Sequence, residues 1–213
     1  TLSSSSAASD VYKRQALDGN EFKREATLLD QALREHAEKL FLYISTCSIQ
    51  DKDVAGSPYV VHKIRMEEKV SVSHRNHLIL RLPQVVGKSD NPNTLVNYLH
   101  SRILSGAQLT IWRNAVRYLI DVEDVVRITG YLIEQTALRN ATVNIVSRAF
   151  SMPDILVALE RITGRRANCE LVDRGSHYLL DDTLSHKAAR ALGIRFDALY
   201  LDTILAKYYT RLA

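Results

Sequence analysis

The chain has 213 residues, 46% of them hydrophobic and 24% charged, which suits one soluble domain or one domain with a small lobe. No apolar run approaches the roughly 20 residues that cross a membrane, so the expected location is cytoplasmic and no membrane partner is expected. The net charge of +4 comes from 28 basic and 24 acidic residues interspersed along the chain. The densest basic cluster, Arg161, Arg165 and Arg166, has no aromatic residue in it and reads as a solvated helix end, so no nucleic-acid partner is expected.

Residues 1–15 are rich in Ser and Ala, with almost nothing to bury and no apolar stretch of a secretory signal, and read as a disordered or non-native leader. From Glu21 to about Glu38, Phe22, Ala26, Leu29, Leu33 and Ala37 recur at helical spacing. Leu40 to Ile44 reads as a buried strand. A helix is expected from Pro58 to about Val70, since proline is tolerated in a first turn. His77 to Leu82 is a second strand, and the loop from Gly87 to Asn93 leads into a helix through Thr94, Leu95, Tyr98, Leu99 and Ile103. Leu109 to Trp112 and Tyr118 to Ile120 are short strands, followed by a helix from Val122 to about Leu138 and a strand from Thr142 to Val146. Ser151 and Asp154 form an N-cap pair opening a helix through Leu156, Leu159 and Ile162 that closes near Gly164. Residues 168–172 make a last strand before two C-terminal helices. Strand and helix alternate throughout, which predicts an α/β fold with a largely parallel sheet.

Three groups in the first third carry chemistry. Thr46 falls just past the end of the first strand, where open α/β sheets place catalytic groups. Tyr59 and Lys63, four apart, share one helix face. A free phenol, with a pKa near 10, is a poor acid/base at neutral pH, and a neighbouring cation favours its phenolate. Tyr59 could then exchange a proton with a substrate hydroxyl or carbonyl while Thr46 holds that oxygen. The bare Tyr-x-x-x-Lys pattern is common, and an ordinary Tyr/Lys contact on an exposed helix face would also produce it. Strand, small-hydroxyl cluster, helix start and pair, in that order, favour the chemical reading.

That stretch resembles the extended short-chain dehydrogenase/reductases, the NAD-dependent epimerase/dehydratase family, which pairs a Ser-Ser/Thr strand end with a Tyr-x-x-x-Lys helix. Arg81-Leu82-Pro83-Gln84-Val85-Val86-Gly87 is similar to the family's Arg-x-x-Asn-x-x-Gly segment. Pro92-Asn93-Thr94-Leu95 is similar to its nucleotide-sugar loop. Arg117 to Val125 resembles its Arg-Asp-Tyr-Ile-His-Val-x-Asp signature. The resemblance implies a partial doubly wound, Rossmann-type, mostly parallel sheet. Residues 16–90 and 116–147 would be the remaining part of the dinucleotide-binding core, and 91–115 and 148–213 a small C-terminal substrate-binding lobe. It implies NAD or NADP as cofactor and a nucleotide sugar as substrate, with epimerisation, dehydration or reduction by hydride transfer. Thr46, Tyr59 and Lys63 would be catalytic. Tyr59, Lys63, Leu82 and Pro83 would meet the cofactor, and Gln84, Asn93, Arg117 and Arg174 the substrate. Arg117 could equally form a salt bridge to a nearby carboxylate, and Asn93 could equally cap a turn. The helix from Pro58 resembles the one that pairs across a two-fold axis, implying a homodimer.

The sequence also departs from the family. No Gly-x-x-Gly-x-x-Gly turn is present, and the units carrying it would precede Phe22, so this chain alone is expected to be inactive. The strands near 40–45 and 77–82 would then present an open apolar edge. Gln84 stands for the usual asparagine and Asp121 for the usual histidine, which leaves room for a non-catalytic dinucleotide-binding, sensor or scaffold member. Cys47 and Cys169 match no zinc spacing and fit a reducing compartment; burial suits Cys47 better than nucleophilic attack. His62, His74 and His77 lack a carboxylate or cysteine to complete a metal site, and none is expected.

Overall fold

The computed structural model describes residues 19–35, 39–135 and 138–210. The leader expected at 1–15 lies outside them. Helix α1 (Gly19–Glu35) turns Leu29 and Leu33 inward. Strand β1 (Phe41–Thr46) follows, then a single 3-10 turn over Cys47–Gln50. Helix α2 (Pro58–Ser73) starts where Ser57 accepts the Val60 N–H at 3.3 Å. Proline in the first turn removes a donor that had no helical partner anyway.

Strand β2 (His77–Leu82) is central in the first sheet, parallel to β1 on one side and to β6 (Ala141–Asn144) on the other. Its apolar run suits a strand covered on both faces. Leu78 and Leu80 point to helices α4 (Val122–Glu134) and α6 (Thr183–Ala191), while Ile79 packs with Leu29, Leu33, Met66 and Val70 of α1 and α2. Leu80 has no exposed surface, and truncation to alanine there costs about 2–5 kcal/mol. The open edge expected of both early strands is not found at β2, which β6 covers; of the two, only β1 has a side without a partner strand among the described residues.

Two smaller sheets carry the rest. In one, β3 (Gln84–Val86) runs parallel to β5 (Val116–Asp121), and β7 (Ala149–Ser151) runs antiparallel to β5. In the other, β4 (Leu109–Trp112) pairs in parallel with β8 (Cys169–Val172). Helices α3 (Leu95–Ser105), α5 (Met152–Thr163) and α7 (Tyr200–Tyr209) enclose a second core with them through Leu99, Ile103, Ile155, Leu159 and Leu205. The C-terminal stretch thus splits, α6 going to the first sheet and α7 to the second core.

The fold is α/β with mainly parallel pairing, and the Ser151 cap and the Gly164 stop stand where the sequence puts them. Some bounds shift. Thr46 is the last residue of β1 and not beyond it, β5 begins at Val116, α4 ends at Glu134, and β6 ends at Asn144. Strands β3 and β7, each three residues long, are too short to show an alternating pattern and are missed by sequence. No described helix is long and apolar enough to cross a membrane.

Candidate functional site

Parallel strands end together, so Thr46 of β1 lies in register with Leu82 of β2, and Pro83 follows at once. Leu82 and Pro83 are half-buried. Thr46 is buried, and its hydroxyl oxygen accepts the Ser48 N–H at 3.1 Å, capping the 3-10 turn. Its O–H proton is thereby left to point at another acceptor. Tyr59, the second residue of α2, is half-buried beside a groove of about 560 Å³ shared with Phe22, Glu25, Leu28 and Tyr43.

Lys63, one turn further along α2, reaches back to β1. Its ammonium donates to Glu25 Oε1 at 2.7 Å, to the Tyr43 hydroxyl at 3.2 Å and to the Ile44 carbonyl at 3.3 Å. An ammonium has three N–H donors, and three acceptors take them. Glu25 is the hub: it also accepts from Tyr43 at 2.8 Å and faces His62 Nε2 at 2.9 Å, with Phe22 stacked on the imidazole. Burial pushes the Glu25 carboxyl up, but the hydrogen bonds from Lys63, Tyr43 and His62 outweigh it and hold the group below its ordinary value. The Tyr43 phenol moves the other way, raised by burial and by Glu25.

Glu25 and Tyr43 were not among the residues singled out by sequence. A signal existed for Glu25: it sits on the inward stripe of α1, between Phe22 and Leu29, where a carboxylate needs a partner.

Arg117, the second residue of β5, is buried at 1% exposure. Its Nη1 donates to the Val116 carbonyl at 2.7 Å and lies 3.7 Å from Asp51 Oδ2, while its Nε has no hydrogen-bond partner among the described residues. The ion pair left open by sequence is therefore present. Asp51 closes the 3-10 turn and accepts the Asp53 N–H at 3.0 Å; burial raises its carboxyl more than Arg117 lowers it. Two residues on, Asp53 Oδ2 accepts the Ser176 N–H at 3.0 Å.

That bond ties the strand-end turn to the loop 173–182. The loop leaves β8 through Arg174, which is exposed, and Gly175. Gly175 has φ +93° and lies so close to Ala115 that a β-carbon would come within 2.7 Å of its backbone, so only glycine fits. Further on, the Tyr118 hydroxyl accepts the Leu180 N–H at 3.2 Å, and Asn144 Nδ2 donates to the Asp181 carbonyl at 3.1 Å.

Gln84, half-buried, opens β3 opposite Leu119. Asn93 stands in the turn before α3, its N–H given to Asn91 Oδ1 at 2.9 Å. The ends of β1 and β2 thus bring together Thr46, Leu82 and Pro83. Lys63 reaches β1 at Tyr43 and Ile44, Tyr59 lines the groove beside Tyr43, and Asn93 and Arg174 sit on loops of the second layer. Cys47 is buried, its thiol pushed up to about 12 by burial and donating to the Arg81 carbonyl at 3.2 Å. His77 Nδ1 pairs with the His74 carbonyl at 2.6 Å, and no group of three His, Cys, Asp or Glu able to hold a metal occurs among the described residues.

The model of the NAD dependent epimerase/dehydratase family matches residues 4–145. Among solved structures, the chain is similar to UDP-glucuronic acid 4-epimerase from Bacillus cereus in complex with UDP-glucuronic acid and NAD. The identity is 23% with a TM-score of 0.66, over 85% of this chain and 65% of that one. It is also similar to Thermus thermophilus UDP-glucose 4-epimerase in complex with NAD, at 20% identity and TM-score 0.62 over 83% and 65%. The dTDP-glucose 4,6-dehydratase of Bacillus anthracis in complex with NAD gives 14% and 0.65 over 85% and 65%. At such identities the likeness speaks for the fold, and this chain spans about 65% of the length of each of the three. No curated protein matches it.

Proposed function

The chain belongs to the NAD dependent epimerase/dehydratase family, and from that premise we propose that it carries the acid–base and substrate end of an enzyme that moves a hydride at a carbon of a nucleotide sugar. One observation carries the reading: Tyr59 and Lys63 stand on the first two turns of α2, against a β1 strand that ends in Thr46. Residues 16–90 and 116–147 would serve the dinucleotide-binding core, with 91–115 and 148–213 on the substrate side. Similar solved structures bound to NAD, one of them also to UDP-glucuronic acid, support the choice of ligands.

The fit to a dinucleotide is partial. Thr46, Tyr59, Lys63, Leu82 and Pro83 suit its reacting end, whereas no glycine-rich strand-to-helix turn able to cradle a pyrophosphate occurs among the described residues. When bound, the nicotinamide would supply the hydride acceptor. Tyr59 would take the proton of the reacting hydroxyl as phenolate, Lys63 would favour that phenolate, and Thr46 would donate a hydrogen bond to the same oxygen. Gln84, Asn93, Arg117 and Arg174 would meet the nucleotide sugar. Tyr59→Phe in the active enzyme should lower kcat at least about 100-fold, the usual worth of a positioned acid/base, with cofactor affinity nearly unchanged. Unchanged turnover ends the catalytic claim.

A second reading, a non-catalytic binding or scaffold member, draws on the commitment of all three Lys63 donors to Glu25, Tyr43 and Ile44. Titration with NAD and NADP by calorimetry separates the two: binding without turnover of any UDP-sugar favours the second. The α2 face, where Val61 is exposed, would form a two-fold dimer; a clean monomer in light scattering at micromolar concentration counts against it.

A further inference from the structure

A buried guanidinium normally spends its donors on short bonds. Arg81 does: its Nε and Nη2 meet the two Glu67 oxygens at 2.9 and 2.6 Å. Arg117 is more deeply buried and is held far less well. Its carboxylate stands at 3.7 Å, well beyond the roughly 2.7–2.9 Å of a charge-assisted hydrogen bond, and its Nε has no partner among the described residues. The same turn has a second strained account on its other flank. Ser176 gives its N–H to Asp53 while its buried hydroxyl has no partner among the described residues. Buried donors with unmet capacity thus flank a three-residue turn, each held by one of its acidic side chains.

We propose that Asp51 is an internal anion that competes with the diphosphate of a nucleotide-linked ligand for Arg117, the turn 51–53 giving way as the ligand binds. The inference rests on the nucleotide-sugar reading and adds to it the group that limits affinity. A diphosphate offers several acceptor oxygens where Asp51 offers one at long range, and a planar guanidinium suits phosphoryl oxygens in pairs. The Ser176 hydroxyl can meet a further oxygen once Asp53 releases its backbone. Gly175, packed against Ala115 next to Ser176, keeps this end of loop 173–182 in place while the turn moves.

The test is calorimetric titration of UDP, with uridine as the uncharged control, into the full chain and into Asp51→Asn. Asparagine keeps an oxygen for the Asp53 N–H and loses the charge. If Asp51 holds Arg117 for about nine-tenths of the time, its removal tightens UDP about tenfold and leaves uridine unchanged. Should Asp51→Asn fail to fold, Asp53→Asn, at an exposed position, loosens the same turn and is expected to tighten UDP in the same direction. Equal or weaker UDP binding in the variants overturns the competition while leaving the nucleotide-sugar reading in place. Absence of UDP binding in all forms removes both.

Discussion

Lys63 and Arg117 come from the same family resemblance, yet they meet their carboxylates in opposite ways. Lys63 is near the surface of a helix pair and has a full set of partners, with Glu25 at 2.7 Å. Arg117 is buried in a strand and has one distant carboxylate and an orphaned nitrogen. The carboxylates follow suit: Glu25 is held below its ordinary pKa by donors that outweigh burial, and Asp51 is pushed above it because burial outweighs Arg117. A cation whose donors are all met holds its carboxylate ionised, whereas a buried one suffers for each donor left unmet.

The contrast is broken hardest at Arg117. Arg117→Met leaves Asp51 buried without its cation and should cost about 3–5 kcal/mol, read by denaturant unfolding. Adding Asp51→Asn should return part of that loss, as a double-mutant cycle would register. A cost under about 1 kcal/mol would mean that the pair is far weaker than a buried pair of this kind should be. Glu25→Gln should cost only about 1–2 kcal/mol, discounted because the carboxylate is a third exposed.

The smallest effect is in pH. Glu25 has a folded pKa below its unfolded one, so its stabilisation is present above about pH 4.3 and is lost as pH falls through the folded value. Asp121, which takes hydrogen bonds from Lys207 at 2.8 Å and Tyr208 at 2.7 Å, has the same sign. Asp51 has the opposite sign: its folded pKa is raised, so it weakens the fold as pH rises through that value. Melting curves from pH 3 to 7 should therefore lose part of their acid limb in Glu25→Gln, whereas Asp51→Asn should steepen it. The same slope in both variants would remove the distinction.

How much of this was legible follows from the range of each interaction. The strands β1 and β2 announce themselves as largely apolar runs, and Ser57–Pro58 and Ser151–Asp154 mark helix starts, because those signals are local. The family resemblance singles out Thr46, Tyr59 and Lys63, of which Thr46 ends β1 and Lys63 reaches that strand at Tyr43 and Ile44. Nothing local tells that Lys63 will turn to a glutamate 38 positions earlier or that Arg117 will face Asp51. Those pairings are set by the packing of α1 and α2 together over β1 and by the approach of the 51–53 turn to β5, both of which belong to the assembled chain.

The division of the C-terminal stretch between the two layers bears on how the chain folds. The first sheet's apolar face is completed by Ala188, Ala189 and Ile194, and the second core by Tyr200, Ile204 and Leu205. Strand β4 must also wait for β8, since Leu109 pairs with Cys169. Contacts so distant in sequence impose a high contact order and slow folding. During synthesis, the first sheet's face stays incomplete until α6 is available and the second core until α7, so both layers should close late.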